Sequence, residues 1–381
     1  MHDTVPGKPA DTYLELCKHK YGDNFGLYIW MPQQLIVGVG VNIVYMVIGA
    51  KSLMKFHDVV CKDNCKDINL TYFIMIFASA HFVISHLPKI KSISAVSLAT
   101  SIISCSSFCT IAWTASLKKG VQPDVQYGYK PNSTAGTVLD FFSALGYVAF
   151  LYTGHKTVLD IQTNIPSTTE KPSKVSMWRI VIVGYIVVAI FYFPVALIGY
   201  WMYGNGVSDN ILISLEKPTW LIAIANFLVF LHVMGSYQIQ ARSVFDIIEP
   251  VLAKKLKRDD LSFTQQLITR NLYIALTMFI SICFPFLYGL LGLIGGLAFA
   301  PTSYFLPCIL WLDIRKPEKW SLSWITNWIC IVLGVALMVV TPIAGLRRII
   351  VQAKTYEFLL MVKALIRFRR RMRLTRDVNY V

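Results

Sequence analysis

Apolar runs of about 20 residues recur along the whole chain, each long enough to cross a hydrocarbon core of roughly 30 Å. Nine stretches qualify, near residues 27–50, 70–88, 93–115, 136–161, 178–203, 219–245, 268–288, 290–312 and 324–345. Lipid offers no hydrogen bonds, so a segment that crosses it must satisfy its own backbone, and a helix does so. The expectation is an all-α polytopic membrane protein with about nine transmembrane helices. Composition agrees. Only 15% of the 381 residues are charged and 55% are hydrophobic, against about 25% charge in an ordinary soluble domain. Residues 1–26 form a polar segment, 27–346 the membrane domain and 347–381 a basic tail. The longest connection between spans, about 246–267, is too short to bury a core of its own. Residues 1–26 carry charges of both signs and no apolar stretch, so no signal peptide is expected there and the first span serves as its own insertion signal.

The distribution of lysine and arginine suggests an orientation. With the first segment inside, the inner connections hold 16 basic residues and the outer ones 8, which favours a cytoplasmic N-terminal segment. Nine spans then leave residues 347–381 outside, although they hold ten basic residues against Glu357 and Asp377. Moving that tail inside would nearly erase the asymmetry, so the early spans decide the assignment. Asn132-Ser133-Thr134 is a glycosylation sequon in the loop that this orientation places outside. Asn69-Leu70-Thr71 is a second, close to the membrane. The tail (EFLLMVKALIRFRRRMRLTRD) reads either as an interfacial basic helix that contacts anionic lipid or as sequence without a structural role.

The stretch GYVAFLYTGHKTVLDIQ, residues 146–162, interrupts an apolar span with Gly146, Gly154, His155 and Lys156. Unwound backbone at membrane depth is tolerated only where it lines a protein-buried or watery cavity. Broken helices near the midplane are how many secondary transporters hold substrate, because half-helix ends present N–H and C=O groups to charged ligands. Gly146 and Gly154 are therefore the candidate helix-breaking positions. Phe150, Tyr152, Thr153 and Gly154 are the candidate substrate contacts, with Tyr45 and Ser236 facing them from other spans. The alternative is that the glycines only let helices pack closely, with His155 and Lys156 reaching an interface. Other polar residues at depth are Asn42, His81, His86, Asn226, His232 and Arg242, for which hydrogen-bonded packing competes with a pathway role. Asp140 and Asp160 stand near the ends of the fourth span, and no carboxylate is clearly central in any span.

Five of the eight cysteines, Cys105, Cys109, Cys283, Cys308 and Cys330, sit in apolar runs, where a buried thiol is a small hydrophobe. Cys61 and Cys65 share a polar loop and can pair if it faces an oxidising compartment. No His/Cys spacing points to a metal, and no acid–base constellation points to an enzyme. No cofactor and no nucleic-acid partner is expected.

Several blocks carry a family resemblance. QQLIVGVGVNIVYMVIGAKSLMKFHD (33–58), TYFIMIFASAHFVISHLP (71–88), EKPSKVSMWRIVIVGYIVVAIFYFPVALIGYWMYGNG (170–206), FAPTSYFLPCILWL (299–312) and SLSWITNWICIVLGVALMVVTPIAGLR (321–347) resemble the lysine–histidine transporter-like branch of the plant amino acid/auxin permease family. The similarity runs to about residue 356. It implies proton-coupled amino acid import across a plasma membrane by a permease fold of eleven helices. That fold is built on an inverted five-plus-five repeat, with its first and sixth helices discontinuous. Residues 146–162 fall on the sixth.

The departures from the family pattern set further expectations. Met1-His2 aligns with a Met-His pair in the loop after the family's second helix, so the first two helices, including the broken partner of the sixth, are expected to be absent. Gly38 stands where the branch has Glu, Tyr147 where it has Asp, and Arg242-Ser243 where it has Met-Pro. Two carboxylates that would relay protons are thereby missing. The expectation is an amino acid transporter working by alternating access, inactive by itself if truncated. The alternative is a non-transporting membrane protein that pairs with, or competes against, full-length relatives.

Overall fold

The computed structural model describes residues 30–61, 67–86, 93–128, 134–151, 173–208, 210–215 and 217–354, together with positions 17, 20–22, 28 and 158. Among them the chain is built from helices: α1 (Met31–Cys61), α2 (Leu70–Ile84), α3 (Ile93–Lys119), α4 (Thr134–Leu151), α5 (Ser173–Tyr203), a short α6 (Ile211–Ser214), α7 (Thr219–Lys255), α8 (Phe263–Cys283), α9 (Leu287–Ile294), α10 (Leu306–Arg315) and α11 (Leu322–Ala353). A π-helical segment, Gly295–Phe305, joins α9 to α10, making one rod. The described part of each of the nine runs read from the sequence falls on one of these rods. Seven of the rods are long and apolar enough to cross a membrane, and α2 is a shorter apolar helix of 15 residues. α3 is long, but Ser101, Ser104, Ser106, Ser107 and Thr110 dilute its apolar character.

α1 is the central post. Its glycines let three neighbours approach on different sides: a Cβ at Gly38 would strike Val244 of α7, at Gly40 it would meet Ile294 of α9, and at Gly49 it would strike the Phe77 ring of α2. Without a hydrophobic drive between helices in lipid, such close backbone approach is what packing gains come from. One core cluster joins α1 to α2, α7 and α8 through Met46, Phe77, Tyr237 and Ile274, and a second joins its other side to α9 through Val44, Val47, Leu290 and Ile294. The outer helices turn apolar residues away from this core. Ile180, Val183, Ile186 and Ile190 of α5 and Val332, Leu333 and Val339 of α11 are all exposed, as lipid-facing residues should be.

Several polar residues inside the bundle are paired, most of them across helices. The Asn42 amide pairs with the Tyr273 hydroxyl at 2.8 Å, and Tyr237 pairs with Thr277 at 2.9 Å. His81 Nδ1 meets the Gln238 amide at 2.6 Å, and His86 meets Asn271 at 3.0 Å. The Asn226 amide donates to the Ile222 carbonyl at 2.9 Å. Arg270 of α8 donates to Glu249 of α7 at 2.8 Å and to the Ser85 carbonyl at 3.1 Å, tying one end of α2, α7 and α8 together. Cys61 is disulfide-bonded, Cys65 lies outside the described residues, and the cysteines at 17, 105, 109, 283, 308 and 330 are free.

Candidate functional site

α1, α3, α4, α5, α7 and the π segment enclose a cavity of about 520 Å³, within the range of small-molecule sites. α1 contributes Gln34, Val37, Val41, Tyr45 and Ile48, spaced by three and four residues and so on one helical face. α7 faces them with Val229, His232, Val233 and Gln240. Phe150 and Leu151 close one side from the end of α4, and Phe108 and Cys109 close another from α3. The Phe150 ring stands edge-on to Phe299 of the π segment at 5.1 Å.

The π segment explains how the wall comes to be polar. Pro301 carries no N–H, so the ladder of GGLAFAPTSYF has to re-form around it. The wider turn leaves carbonyls that other groups take up. Gln33 at the start of α1 donates to the carbonyls of Leu297 and Ala298, and Thr302 Oγ1 donates to Ala298 at 2.9 Å. Thr302 and Ser303 then line the cavity beside Phe299. A π bulge inside a helix is frequently found at a functional site.

Much of the polar wall is uncommitted. Among the described residues the side chains of Gln34, Tyr45, Gln240 and Ser303 make no hydrogen bond, whereas His232 Nδ1 meets Ser104 Oγ at 3.3 Å. No Asp, Glu, Lys or Arg lines the cavity among the described residues. Amide and hydroxyl groups aimed into a sheltered space lose free energy unless something fills their bonding capacity. A small zwitterion or ordered water can do that.

The cavity wall brings together two of the residues expected from the sequence, Tyr45 and Phe150. Ser236 lies on α7 one turn from both His232 and Gln240, half-buried and outside the wall. Tyr152, Thr153 and Gly154 lie outside the described residues, as do His155, Lys156, Asp160 and Asn132. Gly146 sits inside α4, which runs on to Leu151. There it admits a neighbour: a Cβ at Gly146 would press on the Gly292 carbonyl at 2.9 Å, and one at Gly295 would strike the Gly146 carbonyl. Tyr147 is held by Arg348, whose guanidinium donates to its hydroxyl at 2.8 Å, and by Ser143 at 2.8 Å, and it stacks on Tyr288 at 5.3 Å. Asp140 pairs with Arg347 at 3.4 Å and with Arg348 at 3.7 Å. Sequence reasoning missed Gln34, Gln240, Thr302 and Ser303. The signal for the last two was present in the cluster Gly295, Gly296 and Pro301, which announces irregular backbone just ahead of them.

The sequence matches the family described as transmembrane amino acid transporter protein over residues 1–347. It is 60% identical over 358 residues to Lysine histidine transporter-like 1 of Arabidopsis thaliana, covering 94% of this chain and 78% of that protein. Lysine histidine transporter-like 6 of the same plant is 46% identical over 358 residues, covering 94% and 81%. Amino acid permease 2 is 26% identical over 381 residues, covering 90% and 74%. A membrane-embedded bundle around a polar-lined cavity, matched over most of its length by these carriers, belongs to the transmembrane amino acid transporter family.

Proposed function

We propose that the chain carries amino acids across a plasma membrane by alternating access, coupled to protons, with the 520 Å³ cavity as the substrate site. The observation that supports this most is the convergence of Gln34, Tyr45, Gln240 and Ser303, from three separate rods, on one space without hydrogen-bond partners among the described residues. Their donors and acceptors suit the carboxylate and ammonium of an amino acid, and Val37, Val41, Val233 and Phe150 suit an apolar side chain. Tyr152, Thr153 and Gly154, just beyond Phe150, complete the site in this reading. The relatives named for lysine and histidine make these the first substrates to try, beside neutral amino acids. The test is uptake of labelled lysine, histidine and leucine into liposomes holding the purified protein, with and without an imposed pH gradient. Accumulation that collapses with a protonophore supports proton coupling. Accumulation indifferent to the gradient removes the coupling and leaves the carrier.

A second reading is a protein that associates with transporting relatives without itself concentrating substrate. One observation favours it. Gly38 is packed shut by Val244 and the Tyr147 hydroxyl is tied to Arg348, so neither position offers the acid that the family resemblance leads one to expect there. Absence of uptake, together with co-purification of a tagged relative, would favour this reading over the first.

A further inference from the structure

A second cavity, of about 390 Å³, adjoins the first and shares four wall residues with it: Ile48 of α1, Val195 of α5, and Asn210 and Ile211 in the loop between α5 and α7. Its remaining wall is Ala196, Gly199, Tyr200, Val207, Ser208, Leu287 and Tyr288. Ile211 is common to both walls, and its side chain lies so close over Gly199 that a Cβ there would meet Ile211 Cδ1 at 2.6 Å. The loop that carries Ile211 is pinned by Leu212 and Leu215, both buried, and by Lys119 Nζ, which donates to the Ser214 carbonyl at 3.0 Å.

Asn210 is held in a defined orientation beside Ile211. Its Oδ1 accepts from the Leu212 N–H at 3.0 Å, capping the short helix α6. That bond commits the oxygen and leaves the two N–H donors of the same amide, which have no partner among the described residues. They belong to a residue that lines both cavities. An amide with its acceptor fixed and its donors uncommitted, on a residue common to both walls, is suited to a carboxylate on either side.

We propose that the smaller cavity is a second amino acid station in series with the first, and that the Asn210 Nδ2 group binds the substrate carboxylate in each, with Ile211 as the partition between them. The aliphatic and aromatic walls, Val195, Ala196, Leu287, Tyr200 and Tyr288, select an apolar side chain. The Asn210 amide passes the carboxylate from one station to the next as Ile211 moves off Gly199. This inference rests on the transport reading, and binding stoichiometry separates the two.

The probe is labelled leucine, titrated by equilibrium binding onto the full chain in lipid nanodiscs. The unaltered protein is expected to bind two leucines at saturation. Ala196→Phe fills only the smaller cavity and is expected to leave one. Asn210→Ser keeps an oxygen able to cap α6 and loses the amide donors, so folding is preserved. It should retain both sites with each affinity weakened about tenfold, the scale of one hydrogen bond to a charged group. One leucine per chain, unchanged by Ala196→Phe, would overturn the second station. Unchanged affinity in Asn210→Ser would overturn the role of the amide. No leucine bound by the unaltered protein would overturn the transport reading together with this one.

Discussion

At the scale of single residues, the costliest group in the bundle is Arg270, only 7% exposed and fork-bonded to Glu249. A charge withdrawn from water is tolerated when its partner and remaining donors are satisfied, and removing one partner strands the other. Arg270→Met should therefore lower stability by about 3–5 kcal/mol, and Glu249→Gln by a comparable amount. The double variant Arg270→Met/Glu249→Leu should recover most of the loss. Thermal unfolding in detergent measures all three, and additive losses in the double variant would refute a direct pair. Tyr45 tests the cavity in the same way. Its hydroxyl makes no hydrogen bond among the described residues, so Tyr45→Phe should leave stability unchanged. Substrate binding should weaken about threefold to tenfold, the range of one net hydrogen bond. Unchanged affinity would mean that the hydroxyl meets only water.

At the scale of elements, the α9–π–α10 rod is the informative one. Pro301 and the glycine pair Gly295–Gly296 leave this rod irregular where a lipid-facing helix would be regular. The irregularity is sheltered, because Gly295 lies against the Gly146 backbone and Gly296 against Thr341 and Pro342 of α11. Gly295→Ala should force α4 and the π segment apart, since the obstructing atom is a backbone carbonyl that cannot rotate away. The expected loss is at least the 1–3 kcal/mol typical of overpacking, read as a lowered unfolding temperature. Pro301→Ala should have the opposite character. Restoring an N–H lets the segment tighten toward an α-helix and turns Thr302 and Ser303 on the rod, so binding falls while stability holds or rises. A Pro301→Ala protein that binds substrate normally would show that the π geometry does not set the cavity wall.

At the scale of the whole molecule, two features of the chain bear on its orientation. Cys61 at the end of α1 is disulfide-bonded, and disulfides persist in oxidising compartments. With α2 and α3 both crossing, as the nine-span reading expects, the segment before α4, which carries the Asn132 sequon, returns to the same side. With both outside, the start of α1 is cytoplasmic, as the basic-residue count also favours. In a secretory host the protein should run as a glycosylated band that Asn132→Gln removes. Labelling of Cys61 by an impermeant thiol reagent should require prior reduction from the outer side. Protection of Asn132 from glycosylation, with that loop cut by protease from the cytosolic side, would invert the assignment.

The class of fold was legible because lipid imposes it: runs of about 20 apolar residues admit little besides helices, and among the described residues all nine runs fall on helices, seven of them long and apolar enough to cross a membrane. The blocks from 33–58 to 321–347 likewise carried the family. Tyr45 and Phe150 were reachable as cavity residues because a polar ring on a span, or an aromatic next to glycines, is already unusual there. The glycine at 146 was ambiguous, since a missing side chain reads the same whether it loosens a helix or admits a neighbour; only the Gly292 and Gly295 backbones packed against it give it a partner. The rest depended on tertiary structure. Gln34, Gln240, Asn210 and Ser303 are ordinary polar residues in the sequence. They come to line cavities because segments distant along the chain converge on them and, among the described residues, leave the side chains of Gln34, Gln240 and Ser303 and the amide donors of Asn210 without partners, and no local pattern of residues encodes that convergence.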